Sequence, residues 1–327
     1  MTAFKAYRIF SEDGKVTGRV VDTVLDELSP GDVVVHNAYS SVNYKDALAG
    51  LGRNKVIRYY PRIGGIDLFG TVIESRDPRF KSGDAVVVHG FGIGIDHDGG
   101  FAEYARVQGD WVMPLPPGLT LREAAMIGVA GYTAALSIHL MELNGLQPAS
   151  GRIVVNGATG GVASVAIDML SQRGYAVTAI TGKRDERDYL IQLGASDVID
   201  RLSLESTNKP LERALWAGAL DSLGGDALGW LTRTMQPDGV ITAFGNALGQ
   251  ELHTTVLPFI LRGVRLIGVN ANSPMPLRLD IWRRIASDLK PKHLTRIARE
   301  IRLEQLPEVF QRLIDNRSKG RIVVALQ

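Results

Sequence analysis

The chain contains no cysteine. Disulfides, thiolate catalysis and cysteine-based zinc sites are therefore excluded. An excess of charge is lacking too: 37 Lys and Arg stand against 35 Asp and Glu, a formal net charge of +2. Without a basic stripe there is no case for nucleic acid as a partner, and none for a membrane surface. No apolar run approaches the roughly 20 residues of a membrane span. The opening Met1-Thr-Ala-Phe-Lys-Ala-Tyr-Arg reads as a charged strand rather than a signal peptide, and the expectation is a cytoplasmic protein. Histidines are few: six, at 36, 89, 97, 139, 253 and 293, with none at paired ligand spacing. Asp96-His97-Asp98 reads as a solvated loop rather than a cation site, so no metal is expected.

What is present centres on Arg152 to Arg184. Ile153-Val-Val is a short apolar run of the kind buried on both faces of a parallel sheet. A glycine-rich turn follows, then Val162, Val165, Ala166, Met169 and Leu170 at helical spacing, with Gly174 as the stop. Ala176-Val-Thr-Ala-Ile is a second apolar strand. The turn, Ala158-Thr159-Gly160-Gly161-Val162-Ala163, departs from G-x-G-x-x-G/A by placing Ala158 at the first glycine. Gly160 still lets a backbone approach a pyrophosphate, and Ala163 still permits close helix–strand packing. Free N–H groups near Gly161 and Val162, at the positive end of the helix dipole, suit phosphates.

The end of the second strand speaks to the dinucleotide. An NAD site usually places an acid there to bind the ribose hydroxyls. This chain has Thr181-Gly182-Lys183-Arg184, with no acid before Asp185. A 2′-phosphate would pair with Lys183 or Arg184, so the expected cofactor is NADPH.

In a chain of 327 residues two domains are expected. Residues 1–124 read as β-rich: Lys5–Phe10, Val33–Ala38, Gly70–Glu74 and Ala85–His89 are short apolar or alternating runs between turn signals, suggesting a small barrel. Leu121 to Ile138 is a predicted helix, capped by Thr120 with Glu123 three residues on. Residues 125–290 alternate strand and helix, which predicts a parallel, doubly wound sheet. In such sheets ligands bind beyond the carboxyl ends of the strands, placing Gly245, Asn246, Val269 and Asn270 near a nicotinamide. Thr159, Arg201 and Arg321 join the candidate cofactor contacts. Residues 291–327 end in a predicted strand, Arg321–Leu326, expected to return to the first domain.

Together these features resemble the medium-chain dehydrogenase/reductase superfamily over essentially the whole chain. Ser40-Ser-Val-Asn-Tyr-Lys-Asp-Ala-Leu, Gly65-Ile-Asp-Leu-Phe-Gly-Thr-Val, Gly99-Gly-Phe-Ala-Glu-Tyr and Gly128-Val-Ala-Gly-Tyr-Thr-Ala resemble its zinc-independent, quinone-oxidoreductase-like branch. Asp77-Pro-Arg-Phe, Gly109-Asp-Trp and Pro258-Phe-Ile-Leu-Arg-Gly-Val-Arg-Leu are similar to the bacterial acrylyl-CoA reductase subgroup. The resemblance implies an α/β protein with a GroES-like β-barrel domain and a doubly wound parallel Rossmann domain. It also implies NADPH-dependent reduction of acrylyl-CoA to propionyl-CoA. Where zinc members carry Cys and His ligands, this chain has Ser41-Val-Asn-Tyr and Gly65-Ile-Asp.

Without a metal, hydrogen-bond donors must stabilise the charge that develops on the thioester oxygen. Tyr44, a phenolic donor that the resemblance places at the nicotinamide, where it could position the cofactor instead, is the first candidate site residue; Asn43 and Asp67 are weaker candidates that could merely brace loops. A CoA substrate brings phosphates, and Arg53, Lys55, Arg58 and Arg62, interleaved with Tyr59 and Tyr60, form a candidate CoA loop. An NADPH quinone oxidoreductase on the same fold is the alternative, and a non-catalytic NADPH-binding protein the alternative of another class. A homodimer is expected, as relatives commonly pair nucleotide-domain sheets; Val264–Asn270 is the candidate strand, though it could equally be an interior one.

Overall fold

The structure, a computed structural model, describes residues 3–204 and 209–326. The chain divides into two compact units. Met1–Val129, Pro274–Leu279 and Leu294–Gln327 make the first; Ala130–Ser273 and Asp280–His293 make the second.

The first unit is β-rich. Phe4–Glu12 pairs antiparallel with Lys15–Thr23, a strand the sequence reading missed. The signal was there: Asp13-Gly14 sits at the hairpin tip with φ of 50° and 75°, the left-handed pair that a two-residue hairpin turn requires. Among the described residues a second, larger sheet runs in the order Ala298–Ile301, Arg321–Ala325, Val33–Val42, Asp67–Ser75, Ala85–His89, Met113–Pro114, with Tyr104–Val107 also on Val33–Val42. The final strand, Arg321–Ala325, pairs antiparallel with Val33–Val42 in this sheet. Val33, Val35, Leu68, Val72, Val86, Val88 and Val107 are fully shielded from solvent on this sheet. Burying each such side chain stabilises the fold by about 1.5–3 kcal/mol.

The Thr120–Glu123 box forms as the sequence predicts: the Glu123 N–H donates to Thr120 Oγ1 at 3.1 Å, and the Thr120 N–H to Glu123 Oε2 at 2.8 Å. The helix it starts runs further than expected, Leu121–Leu143, and breaks at Gly128, where φ is 56° and ψ −166°. Among the described residues this helix is long and apolar enough to cross a membrane, with 83% of its apolar window buried inside the protein. This corrects the expectation that no apolar run reaches such a length: Gly, Tyr, Thr, Ser and His interrupt the stretch without making it polar on average.

The second unit holds a six-stranded sheet among the described residues, in the order Asp197–Asp200, Val177–Thr181, Ile153–Val155, Trp216–Asp221, Met235–Ala243, Arg265–Gly268. Every neighbouring pair is parallel. Ile153–Val155 and Val177–Thr181 are buried throughout, which is why they read as continuous apolar runs. The strand order reverses direction beside Ile153–Val155, the place where such sheets open a crevice for ligands. Arg265–Gly268 lies at the sheet edge and is not an interior strand.

Candidate functional site

The second unit places most of the expected cofactor residues at or just beyond the carboxyl ends of its strands. After Val155 the chain turns through Asn156-Gly157-Ala158-Thr159-Gly160 into the Gly161–Gln172 helix. The first glycine of the motif is not lost to Ala158. Gly157 has φ of +56°, and a Cβ there would lie 2.2 Å from Ser222 Oγ, so the tight-turn role falls one residue earlier. Gly160 precedes the helix in an extended conformation, and no side chain caps it. The first-turn N–H groups of Gly161 and Val162 are thus left for an anion. The turn is braced from below: Ser222 N–H donates to Asn156 Oδ1 at 2.8 Å, and Asn156 Nδ2 donates to Asp221. Burial pushes the Asp221 carboxyl up, against the opposing pull of Asn156 and the Gly224 N–H.

At the end of Val177–Thr181, Thr181 is buried, Gly182 and Arg184 are exposed, and Lys183 is half-buried. The Lys183 N–H donates to Thr181 Oγ1 at 3.0 Å. Arg201 lies against Gly182: a Cβ on Gly182 would meet its Nη2 at 3.0 Å. Arg184 is committed elsewhere, to an ion pair with Asp200. Asp200 is the acid the sequence reading did not find, because it sits on the neighbouring strand, opposite Thr181 in the parallel register. The Leu202 N–H and Arg184 hold its carboxyl below the usual range. Gly245 and Asn246 follow the carboxyl end of Met235–Ala243, and Val269 and Asn270 follow that of Arg265–Gly268. Asn246 and Asn270 are exposed, Gly245 and Val269 half-buried.

In the first unit Asn43 ends the long strand and caps the Tyr44–Gly50 helix. Tyr44, its first residue, is 46% exposed, whereas Asp67 is fully buried. Asp67 receives donors from four residues: the Ser41 N–H at 2.7 Å and its hydroxyl, the Ser40 hydroxyl at 3.4 Å, Asn43 Nδ2 at 3.3 Å and the Val129 N–H at 3.2 Å. The last is available because the helix breaks at Gly128. Arg321, expected among cofactor contacts, lies inside this cluster. Its Nη2 donates to Ser41 Oγ at 2.6 Å, Nη1 to Asn43 Oδ1 at 3.2 Å and Val42 O at 3.3 Å, and Nε to Met126 O at 3.3 Å. Asp46, missed in the sequence, completes it by accepting from the Asn43 N–H at 2.8 Å and the Ile66 N–H at 3.0 Å. Asn43-x-x-Asp46 is a capping box, and that spacing was the available signal. Burial first, then the Asp67 charge, pushes Asp46 up to about 7.

The four basic residues of the candidate CoA loop differ in exposure. Arg53, Lys55 and Arg58 are exposed, and Tyr59 is 72% exposed beside them. Arg62 is instead held by Asp98 at 3.3 Å and Ser29 Oγ at 2.9 Å, with 14% of its side chain exposed. Nor is Asp96-His97-Asp98 a solvated loop: His97 and Asp98 are buried. The His97 nitrogens lie 2.9 and 3.0 Å from the carbonyls of Pro30 and Asp98.

Residues 29–117 match the family described as "Alcohol dehydrogenase GroES-like domain" and residues 161–287 the family described as "Zinc-binding dehydrogenase". The chain is 45% identical to "Putative quinone oxidoreductase YhfP" of Bacillus subtilis (strain 168) over 99% of both proteins. The chain belongs to the medium-chain dehydrogenase/reductase family. It is 43% identical to "Probable acrylyl-CoA reductase AcuI" of Escherichia coli (strain K12), over 98% of this chain and 99% of that protein. The yhdH oxidoreductase from Salmonella enterica, solved in complex with NADP, shares 42% identity at a TM-score of 0.96, covering 99% of this chain and all of that one. YhfP, solved with NAD bound, gives 0.97 over the full length of both chains. Family membership makes the protein an oxidoreductase of this fold.

A zinc ion, which the second family description implies, does not fit this donor set. Zinc takes Cys, His and carboxylate ligands. Among the described residues no group of three or more His, Cys, Asp and Glu is placed to hold a metal. At Ser41 and Asp67 the chain offers one hydroxyl and one carboxylate, with a guanidinium already bonded to the hydroxyl.

Proposed function

We propose that the protein is an NADPH-dependent reductase of the carbon–carbon double bond of acrylyl-CoA, giving propionyl-CoA. The likeness to a named acrylyl-CoA reductase over nearly the full length of both chains carries this reading. The exposed Arg53, Lys55, Arg58 and Tyr59 support it, since CoA brings phosphates and an adenine for such a loop to meet.

NADPH supplies the hydride. In the proposal the uncapped start of the Gly161–Gln172 helix, with Thr159 and Gly160, takes the pyrophosphate; Lys183 and Arg201 take the 2′-phosphate. Gly245, Asn246, Val269 and Asn270 serve the nicotinamide end. Bound NADPH would give its hydride to the β-carbon, the π electrons would move to the thioester oxygen as an enolate, and the α-carbon would take its proton from water. Tyr44 is the proposed donor to that end of the reaction, with Asn43, whose amide N–H groups go to Asp67 and Ser41 O, bracing the helix that carries it. Loss of one donor of this kind costs about 10²–10³ in rate.

Reduction of a quinone is the second reading, favoured by the name of the YhfP relative. Oxidation of NADPH followed in parallel with acrylyl-CoA, a longer enoyl-CoA and a simple quinone separates the two. Turnover confined to acrylyl-CoA supports the thioester reading; turnover with quinone alone overturns it. A cytoplasmic homodimer completes the proposal. Val256, Ile260 and Leu261 are each more than 60% exposed on and beside the Leu257–Arg262 helix, next in sequence to the edge strand. Light scattering on a sizing column reads the assembly directly.

A further inference from the structure

Phe91 is held in a conformation that bulky residues avoid. Its φ is +53°, between Gly90 at +77° and Gly92 at +82°. Glycine adopts such angles freely, whereas a phenylalanine there is an outlier that its surroundings must enforce. Two neighbours enforce it. The ring stacks on Trp111, with centroids 5.8 Å apart and planes 5° from parallel. The Arg278 guanidinium lies over it, 4.1 Å from the ring centroid. Arg278 is 1% exposed, and a cation over a ring is held more strongly once water is excluded. Arg278 belongs to Pro274–Leu279, a part of the first unit. Its Nη1 donates to the His89 carbonyl at 2.5 Å and to His89 Nδ1 at 3.0 Å. Burial first, then the guanidinium charge, push His89 well below its usual value, so its ring is neutral and Nδ1 accepts.

The strained residue stands at the same end of the sheet as Tyr44. Val33–Val42 ends there, Asp67–Ser75 starts there and Ala85–His89 ends there, with His89 opposite Asp67 in the antiparallel register. Residues opposite one another in such a pair carry their side chains on one face. The loop that follows His89 is locked against the segment leading into Asp67. The Gly90 N–H donates to Ile66 O at 3.1 Å, and the Gly100 N–H to Gly65 O at 2.9 Å. A Cβ on Gly94 would lie 2.7 Å from the Gly65 carbonyl, and one on Gly100 2.0 Å from Asp67 O. A loop seated that closely has no room to swing Phe91 away. The ring is half-buried, so part of it stays open beyond its two partners. The turn itself does not call for the ring, since glycine at position 91 would take the same φ without strain.

We infer that Phe91 sets the size limit of the acceptor. Its pinned ring closes the acyl end of the site at Tyr44, so that a three-carbon enoyl thioester fits and a longer one meets the ring. Phe91 is thus a specificity residue, and Trp111 and Arg278 hold it in place. The inference deepens the acrylyl-CoA reading and rests on it for where the acceptor lies.

The test compares kcat/KM for acrylyl-CoA and for a six-carbon enoyl-CoA in the wild type, Phe91→Gly and Phe91→Trp. Phe91→Gly removes the ring at a φ that glycine accepts, so folding is kept. Its ratio of long to short acceptor should rise about tenfold or more, since a single methylene in a closed pocket is worth about 10- to 200-fold. NADPH affinity should not change. Phe91→Trp keeps a ring for the stack and should keep the wild-type ratio or lower it. An unchanged ratio in Phe91→Gly overturns the inference. So does an equal fall for both acceptors, which is what losing a merely structural pin would give, and so does an equal rise of the ratio in Phe91→Trp. If Phe91→Gly does not fold, Phe91→Leu takes its place and is read in the same way. If the wild type reduces neither thioester, the substrate reading fails on its own. Benzoquinone and the larger naphthoquinone then replace the pair, and the same ratio decides the inference.

Discussion

Arg321 Nη2 donates to Ser41 Oγ at 2.6 Å, although the two residues are 280 positions apart. One comes from the last strand of the chain and the other from the strand that leads into Asn43 and Tyr44. Their contact exists only because Gly128, a third distant residue, carries no side chain. Gly128→Ala should therefore be costly. Its φ of 56° with ψ of −166° belongs to a region that side chains avoid at a cost of about 1–3 kcal/mol, before any clash with Arg321 is counted. Thermal melting should fall by several degrees, and turnover per folded molecule should fall as well. An unchanged melting temperature would mean that the break in the helix is not needed.

Cofactor choice should rest on Lys183 and Arg201. Each charge-assisted contact contributes about 1.5–3 kcal/mol, so losing each should weaken NADPH about ten- to a hundredfold while NADH changes little. We propose that Arg184 works indirectly. Its pairing with Asp200 neutralises an acid opposite Thr181. Arg184→Ala should weaken NADPH by exposing that charge, and adding Asp200→Asn should recover the affinity. Fluorescence titration of the four variants checks this; no recovery in the double variant would show that Arg184 touches the phosphate itself.

The legible parts of this chain were local. Buried parallel strands announce themselves as apolar runs, and the Thr120–Glu123 cap is a four-residue signal. The Asp13-Gly14 hairpin and the Asn43–Asp46 box were equally local and were overlooked. The cluster around Asp67 is different. Ser41, Asp67, Gly128 and Arg321 are joined by register and by a helix break, and no spacing in the sequence shows that they meet. The same holds for Asp200, whose place beside Thr181 follows from parallel pairing rather than from any motif.

Asp46 makes a pH prediction. Its carboxyl is raised from 3.8 to about 7 by burial and by Asp67, with Arg321 and the two backbone N–H groups acting against the shift. A folded-state value above the unfolded one means that the stabilisation is fully present below pH ~4 and is lost as pH rises toward ~7. The slope from this group is at most about 1.4 kcal/mol per pH unit. Asp46→Asn removes it. Melting temperature against pH should therefore fall more steeply for the wild type than for Asp46→Asn across that window. Parallel curves would contradict the assignment.

Arg58 is an exposed member of the basic loop, 3.9 Å from Asp96 and with 74% of its side chain open to solvent. Exposed charges contribute modestly, so Arg58→Glu should raise KM for an acyl-CoA about two- to tenfold. It should leave KM for a small quinone unchanged, because a quinone has no phosphate to repel. Equal effects on both would remove the loop from CoA recognition.

Hydride addition to the β-carbon of acrylyl-CoA is the step on which the proposed reaction turns. Incubation with acrylyl-CoA and NADPH deuterated at the nicotinamide C4 position, followed by mass spectrometry and NMR of the thioester, reads that step directly. The expected product is propionyl-CoA with deuterium on the β-carbon and solvent hydrogen on the α-carbon. Deuterium on the α-carbon, or no propionyl-CoA while a quinone is reduced, would contradict it.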